Sequence, residues 1–183
     1  MLLPRVFASS VALAASLRAR PVCSAALGAL PPVLDARGEA LSPEAAHASC
    51  EGKRVALYFS AGWCPMCTRF EPSLQQFRKA CDDSGKPVQI IYVPSDRSSA
   101  DAKSRAAGMG VLQVPFEAAD EYKKQFKVWA GAESMKLGLG RRSGVPALVV
   151  LDGDGKELGF VAAEAQGAGA LQSWPLDDER GIW

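Results

Sequence analysis

Two cysteines separated by two residues are the part of this sequence best suited to chemistry. Cys64 and Cys67 belong to the pentapeptide Trp-Cys-Pro-Met-Cys, which follows closely on the apolar segment 54–60. A thiolate attacks a disulfide bond, so a cysteine pair at this spacing can accept a disulfide from another molecule and hold it within the protein. The motif therefore predicts a thiol–disulfide redox site.

A helix that begins at Pro65 would give the two thiols different roles. Proline suits the first position of a helix because its missing N–H would have no partner there. Cys64 would then face the positive end of the helix dipole, and Cys67 would lie one turn later on the same face. We expect Cys64 to attack the substrate and Cys67 to resolve the mixed disulfide, with Trp63 shielding the pair.

The same Cys-x-x-Cys spacing also occurs as half of a tetrahedral zinc site, which needs a second pair of ligands at matching spacing. The remaining candidates stand singly: Cys23, Cys50, Cys81 and the only histidine, His47. The sequence therefore favours redox chemistry and predicts no metal. A motif retained without activity is a further alternative. We expect Cys50 and Cys81 to be ordinary thiols, with an accessory redox role as the alternative.

The motif must be positioned by strands and helices, and patterns typical of both alternate along the chain. Apolar runs predict strands, and apolar residues at spacings of three and four predict helices, one of which contains Pro72 and should be kinked there. Helices between strands imply crossover connections and some parallel pairing, hence an α/β fold. The predicted strands are 54–60, 88–93, 147–151 and 158–161, and the predicted helices are 65–81, 98–107 and 118–128.

The residues around the motif resemble a known family. The run Tyr-Phe-Ser-Ala-Gly-Trp-Cys-Pro at 58–65 resembles a thioredoxin-fold active site, most closely that of the tryparedoxin and nucleoredoxin branch. Three further segments resemble that branch in the expected order, so the resemblance covers about residues 50–175: Val114–Phe116, Ser143–Val150 and Trp174–Pro175. The resemblance implies a thioredoxin-like three-layer fold with a central mixed sheet flanked by helices.

The resemblance also implies the roles of single residues. Trp63 and Pro65 would shape the motif, and Pro146 would follow a cis bond that leaves the backbone of Val145 free to pair with an extended substrate. An ordinary trans proline is the alternative. From their position alone, a few residues before Pro146, Arg141 and Arg142 are candidates for attracting an anionic substrate, and a solvated loop pair is the simpler alternative.

The implied activity is reduction or exchange of disulfides in protein substrates. No bound cofactor is implied, because electrons would come from a dithiol or from a separate reductase. The alternative function is that of a thioredoxin-like structural or assembly subunit of an organellar complex, which would not need the intact cysteine pair.

Three features depart from family patterns. Met66 stands between the cysteines, where the residue type helps to set the redox direction. The chain between Phe116 and Pro146 is longer than the family pattern, and segment 129–140 is the expected insert. The strand at 55–60 lacks the carboxylate that many thioredoxins bury there, an absence shared with the tryparedoxin-like branch.

The first 34 residues differ in composition from the rest. They hold no Asp or Glu but contain Arg5, Arg18 and Arg20 among many alanines and serines. On a helical projection, the arginines and serines lie mainly opposite the apolar residues. We expect residues 1–34 to be an organelle-targeting presequence and 35–183 to be the thioredoxin-like domain. A mitochondrial address is favoured and a plastid is the alternative, ahead of a secretory signal or a disordered tail.

Charge and hydropathy set further limits. A net charge of +1 over 183 residues gives no reason to expect nucleic-acid binding. The apolar run near the N-terminus is too short and too polar to span a bilayer, so no transmembrane segment is expected. The length suits one domain plus a short appendage.

Overall fold

A five-stranded mixed sheet forms the centre of the protein, which the computed structural model describes over residues 33–153 and 155–176. The strand order is β3-β2-β1-β4-β5, in which β1, β2 and β3 run parallel while β4 pairs antiparallel with both β1 and β5. The strands are β1 (Arg54–Ser60), β2 (Val88–Pro94), β3 (Leu112–Gln113), β4 (Ala147–Leu151) and β5 (Glu157–Val161).

Helices cover both faces of the sheet. Those described are α1 (Pro43–Cys50), α2 (Pro65–Asp83), α3 (Ser99–Met109), α4 (Ala119–Phe126), α5 (Ser134–Leu137) and α6 (Ala163–Gln166). Side chains alternate along a strand, so β1 sends Leu57 and Phe59 into one apolar layer and Tyr58 into the other. The first layer packs with α1 and α4 and the second with α2 and α3. The predicted three-layer α/β fold is confirmed.

The central strand β1 is buried along its whole length because helices lie on both of its faces. It runs parallel to β2 through the crossover helix α2 and meets β4 on its other side. Its carboxyl end leads through 61–64 into α2, so the redox motif lies at the edge where β1 and β2 both end. Pro72 lies inside α2, as predicted.

Helix α4 is shorter than the predicted span of 118–128. Lys127 adopts a left-handed conformation with φ of 55°, and its amide donates to the carbonyl of Lys123, which ends the helix. Val128 then pairs in a parallel bridge with Ser143. This bridge closes the 129–140 insert at its base and leads directly into the loop before β4.

Two residues of the predicted presequence contact the sheet. Val33 is buried in the core, and Leu34 exchanges two backbone hydrogen bonds with Gln113 of β3 at 2.7 and 3.0 Å. Val33 and Leu34 therefore pack against the folded domain. The boundary between a presequence at 1–34 and a domain at 35–183 stays a prediction. Residues 1–32, which carry the predicted targeting signal, lie outside the described residues.

Within residues 33–153 and 155–176, no helix has the length and apolar character needed to cross a membrane.

Truncation of Val33 tests whether this segment belongs to the core. Val33→Ala is expected to lower the free energy of unfolding by about 1.5–3 kcal/mol, because two buried methyl groups are lost and a cavity is left. Leu139→Ala is the control, since Leu139 is 91% exposed and should change stability by no more than about 0.5 kcal/mol. Urea unfolding followed by circular dichroism measures both. Equal midpoints for the two variants would contradict the assignment.

Candidate active site

Cys64 occupies the N-cap position of α2, with Pro65 as the first helical residue. The backbone N–H of Cys67 donates to the Cys64 sulfur at 3.4 Å. This is the hydrogen bond that an N-cap side chain normally accepts. The sulfur thus lies against a first-turn amide and the positive end of the helix. The predicted helix start and the placement of both cysteines on its first turn are confirmed.

Cys67 lies deeper than Cys64. Its side chain is fully buried, whereas Cys64 retains 8% of its accessible surface. Burial raises the pKa of the Cys67 thiol, and the neighbouring Cys64 sulfur raises it further, while Ser60 and the Ala61 backbone act in the opposite direction. Cys67 is therefore held as a protonated thiol at neutral pH, behind a more accessible Cys64.

The loop before β4 faces the Cys64 sulfur. The Val145–Pro146 peptide bond is cis, as the family resemblance implied, and the Cys64 thiol donates to the carbonyl oxygen of Val145 at 3.7 Å. Val145 is 5% exposed and contributes to the same apolar layer as both motif cysteines. The structure thus brings Val145 and Cys64 together across 81 residues of chain.

Trp63 is fixed by the turn that follows β2. Its side chain is 38% exposed, and its indole N–H donates to the carbonyl oxygen of Ser95 at 2.8 Å. The adjacent Gly62 N–H donates to Asp96 Oδ1 at 2.6 Å, and the hydroxyl of Tyr92 donates to the other carboxylate oxygen of Asp96. Two residues after β2 therefore hold the backbone and the indole that precede Cys64.

Ser95 and Asp96 were not identified from the sequence. A usable signal was present, because polar residues directly after a buried parallel strand lie at the carboxyl edge of the sheet, where sites form. Their specific partners depend on β1 and β2 being neighbours in parallel register, in which Ser60 lies opposite Pro94.

A charged pocket opens beside Trp63. Arg105 of α3 forms a part-buried ion pair with Glu71 of α2, and burial raises the pKa of Glu71 while the Arg105 charge lowers it. A Cβ atom at Gly62 would lie 3.2 Å from Asp96 Oδ1 and 3.3 Å from an Arg105 nitrogen, so the backbone approaches these side chains closely. The pocket has a volume of about 430 Å³ and is lined by Gly62, Trp63, Asp96, Arg97, Asp101, Ser104 and Arg105.

Arg142 is engaged within the protein. Its guanidinium forms two 2.8 Å hydrogen bonds with the Glu157 carboxylate and lies 4.0 Å from the centre of the Phe160 ring. Arg141 instead donates to the Trp129 carbonyl at 3.0 Å, at the start of segment 129–140. The predicted contact of Arg142 with an anionic substrate stays a prediction.

The packing around Gly144 explains a glycine two residues before the cis-proline. The Gly144 N–H donates to the carboxylate of Glu164, and a Cβ at this position would overlap that carboxylate and lie 2.7 Å from Arg141 Nη1. A side chain at position 144 would therefore displace both charged groups. Glu164 and Arg141 together support the loop that carries Val145.

The 129–140 insert is partly buried and partly exposed. Trp129 and Ala130 at its start are buried, whereas Met135 and Leu139 are 102% and 91% exposed. Its base is held by a hydrogen bond from the Trp129 amide to the Ser143 carbonyl. The insert therefore leaves the fold after Val128 and rejoins it at Ser143, immediately before the cis-proline loop.

Cys50 and Cys81 are both buried, and neither forms a disulfide in the part of the chain that the structure describes. Over the same residues, no group of three or more His, Cys, Asp or Glu side chains is arranged to hold a metal ion.

Comparison with known proteins places this geometry in a family. A family model described as thioredoxin-like matches residues 52–157. Nucleoredoxin from Bos taurus is 32% identical over 125 residues, which are 68% of this chain and 25% of the relative. Tryparedoxin from Trypanosoma brucei brucei is 29% identical over 113 residues, 62% of this chain and 70% of the relative. The chain spans about a quarter of the length of the bovine nucleoredoxin that it matches.

The solved structures agree with this assignment. Tryparedoxin II from C. fasciculata superposes with a TM-score of 0.60 at 26% identity, covering 85% of this chain and 94% of that protein. Together with the matched family model and the cysteine pair at the start of α2, these findings show that the chain belongs to the thioredoxin-like family of oxidoreductases that includes the nucleoredoxins and tryparedoxins.

Proposed function

We propose that this protein is a thiol–disulfide oxidoreductase that reduces or exchanges disulfide bonds in protein substrates. The observation that carries the proposal is the environment of Cys64, whose sulfur lies between the Cys67 amide in the first turn of α2 and the Val145 carbonyl. Such a sulfur has a donor to stabilise negative charge and an adjacent backbone to hold a substrate chain.

In the first step, the Cys64 thiolate attacks one sulfur of the substrate disulfide. A new S–S bond joins Cys64 to the substrate, the substrate disulfide breaks, and the second substrate sulfur leaves as a thiolate that takes up a proton. The substrate remains attached to the protein as a mixed disulfide. The part-exposed Trp63 and Met66 flank Cys64 and supply apolar surface for the residues around the substrate cysteine.

In the second step, Cys67 loses its proton and attacks the Cys64 sulfur. The mixed disulfide breaks, a Cys64–Cys67 disulfide forms, and the substrate sulfur that was bonded to Cys64 leaves as a thiolate, which takes up the proton that Cys67 lost. Two electrons have passed from the protein to the substrate. A dithiol or a separate reductase then supplies two electrons to restore the Cys64 and Cys67 thiols. Because burial keeps Cys67 protonated, the second thiol is protected until the mixed disulfide brings a target within reach.

Val145 and Pro146 would form the ledge on which the substrate chain rests. The Val145 carbonyl approaches the Cys64 sulfur, so an extended segment that pairs with this backbone would carry its cysteine to the nucleophile. Trp63 and Pro65 shape the motif, Pro65 by fixing the first turn of α2. Arg142 pairs with Glu157, so it is proposed to attract an anionic group of a substrate by exchanging the Glu157 carboxylate for that group.

A second candidate function is that of a thioredoxin-like subunit of an organellar assembly. The observation that favours it is the insert, which presents Met135 and Leu139 to solvent with their side chains almost wholly exposed. Exposed apolar side chains of this kind are typical of protein contact sites when they occur together. Native gel migration of the protein from cells distinguishes the candidates, since an assembly subunit must migrate with a large complex and lose that migration in a Met135→Ser, Leu139→Ser variant.

The mitochondrial localisation is proposed from composition alone. Residues 1–34, with three arginines and no acidic residue, support mitochondrial targeting. Fusion of these residues to a fluorescent protein is expected to direct it to mitochondria, and Arg5→Glu with Arg18→Glu should abolish the import. Accumulation in plastids of a plant cell, or in the secretory pathway, would overturn the mitochondrial assignment.

The two motif thiols are expected to differ in reactivity. Iodoacetamide at pH 7 should modify Cys64 first, because Cys67 is fully buried and its raised pKa leaves little thiolate at that pH. Raising the pH should increase the Cys67 rate steeply. Mass spectrometry of peptides from the reduced full chain measures both rates, and faster labelling of Cys67 than of Cys64 at pH 7 would contradict the assigned roles.

Replacement of each motif cysteine separates the two steps. Cys64→Ser is expected to abolish reduction of oxidised insulin by dithiothreitol above the uncatalysed rate, because no mixed disulfide can form. Cys67→Ser is expected to accumulate a covalent adduct with insulin that dithiothreitol releases, since the resolving thiol is gone. Cys81→Ala is the matched control, a buried free cysteine of the same helix that should leave the rate unchanged. Insulin reduction by Cys64→Ser at the wild-type rate would contradict the proposal.

A further inference from the structure

A buried lysine fixes the insert to the rest of the fold. Lys123 of α4 is only 3% exposed, and its ammonium lies 2.5 Å from Glu133 Oε1 and 3.7 Å from Asp120 Oδ1. An ammonium withdrawn from water is costly unless it is paired, so the position of Glu133 is strongly constrained. Glu133 lies inside the 129–140 insert, which is therefore anchored at its centre as well as at its base.

The second oxygen of the Glu133 carboxylate is also occupied. Glu133 Oε2 accepts from the Ser95 hydroxyl at 2.8 Å and from the Ala130 N–H at 2.9 Å. Hydrogen bonds to a carboxylate are stronger than those between neutral groups. One side chain of the insert thus ties together α4, the insert itself and the turn after β2.

That turn is the one that holds the redox motif. The Ser95 carbonyl accepts from the Trp63 indole, and the Ser95 N–H donates to the Ser60 carbonyl at 2.8 Å. Ser95 is 4% exposed, so both of its links are shielded from water. A continuous hydrogen-bonded path therefore runs from Lys123 through Glu133 and Ser95 to the indole beside Cys64.

We propose that Glu133 is a positioning residue, which acts through Ser95 to hold Trp63 in place beside Cys64 and so adapts the site to protein disulfides. The proposal rests on the proposed oxidoreductase function and deepens it. It makes the insert part of the substrate-binding machinery, although the insert contributes none of the reacting sulfurs.

The proposal separates protein substrates from small ones. A small aromatic disulfide needs only the Cys64 sulfur, whereas a protein brings flanking residues that must fit against Trp63. Loosening Trp63 should therefore raise KM for a protein disulfide while the reaction with a small disulfide stays unchanged. A loss of overall stability would instead lower both rates together.

The experiment uses the full chain and three variants. Ser95→Ala removes the hydroxyl that joins the turn to Glu133 and leaves the Lys123–Glu133 ion pair intact. Glu133→Gln keeps the shape and one acceptor oxygen but removes the charge. Asp120→Asn is the matched control, because Asp120 belongs to the same charge cluster while its carboxylate is directed to Lys123 and Lys136.

The first measurement is hydrogen exchange of the Trp63 indole N–H by NMR, with its signal assigned by Trp63→Phe. Ser95→Ala and Glu133→Gln are each expected to speed exchange roughly two- to tenfold, the range that loss of one hydrogen bond produces. Asp120→Asn should leave the rate as in the wild type. The Ser95→Ala, Glu133→Gln double variant should match the larger single effect, since both changes cut the same path.

The second measurement is steady-state reduction of oxidised insulin and of 5,5′-dithiobis(2-nitrobenzoate). In Ser95→Ala, KM for insulin is expected to rise by a factor similar to that of the indole exchange, with kcat and the rate for the small disulfide unchanged. Wild-type exchange and wild-type KM in both Ser95→Ala and Glu133→Gln would overturn the proposal. Equal changes in Asp120→Asn would also overturn it, because the cluster would then act only through stability.

The two proposals can fail separately. If the wild-type chain reduces neither disulfide, the oxidoreductase proposal fails, while the indole exchange still decides whether Glu133 positions Trp63 through Ser95.

Discussion

The contact between the N-terminus of α2 and the Cys64 sulfur is the interaction on which the site depends. It exists because β1 ends four residues before Cys64 and because Pro65 can begin a helix without losing a hydrogen bond. The helix then supplies an amide and a dipole to the sulfur and carries Cys67 into the core one turn later. The difference in accessibility between the two thiols follows from the direction of a single helix.

The remaining parts of the structure hold the Cys64 sulfur beside the backbone and side chains that are proposed to contact the substrate. The turn after β2 fixes Gly62 through Asp96 and fixes Trp63 through Ser95. The loop before β4 brings the Val145 carbonyl to the opposite side of the sulfur. Both supports come from strands that neighbour β1 in the sheet, one parallel and one antiparallel, so the mixed topology is what surrounds Cys64.

Local chemistry made much of this predictable. Short stretches of sequence predict the cysteine spacing, the start of α2 and the strand at 54–60. The family resemblance predicted the cis bond at Pro146. The Ser95 and Glu133 contacts were not predictable because they join segments 38 residues apart. The packing of Val33 in the core was not predictable for a related reason. Composition separates basic from acidic stretches, whereas the burial of Val33 depends on packing against a sheet formed much later in the chain.

The redox equilibrium of the Cys64–Cys67 pair tests the central claim most directly. The full chain would be equilibrated across a series of dithiol–disulfide buffers, alkylated, and each motif peptide weighed by mass spectrometry. We predict a reversible two-electron transition in which both cysteines change together, and which Cys64→Ser abolishes. A pair that stays reduced and unreactive throughout the series would contradict the account and leave the protein a thioredoxin-like fold without a working dithiol.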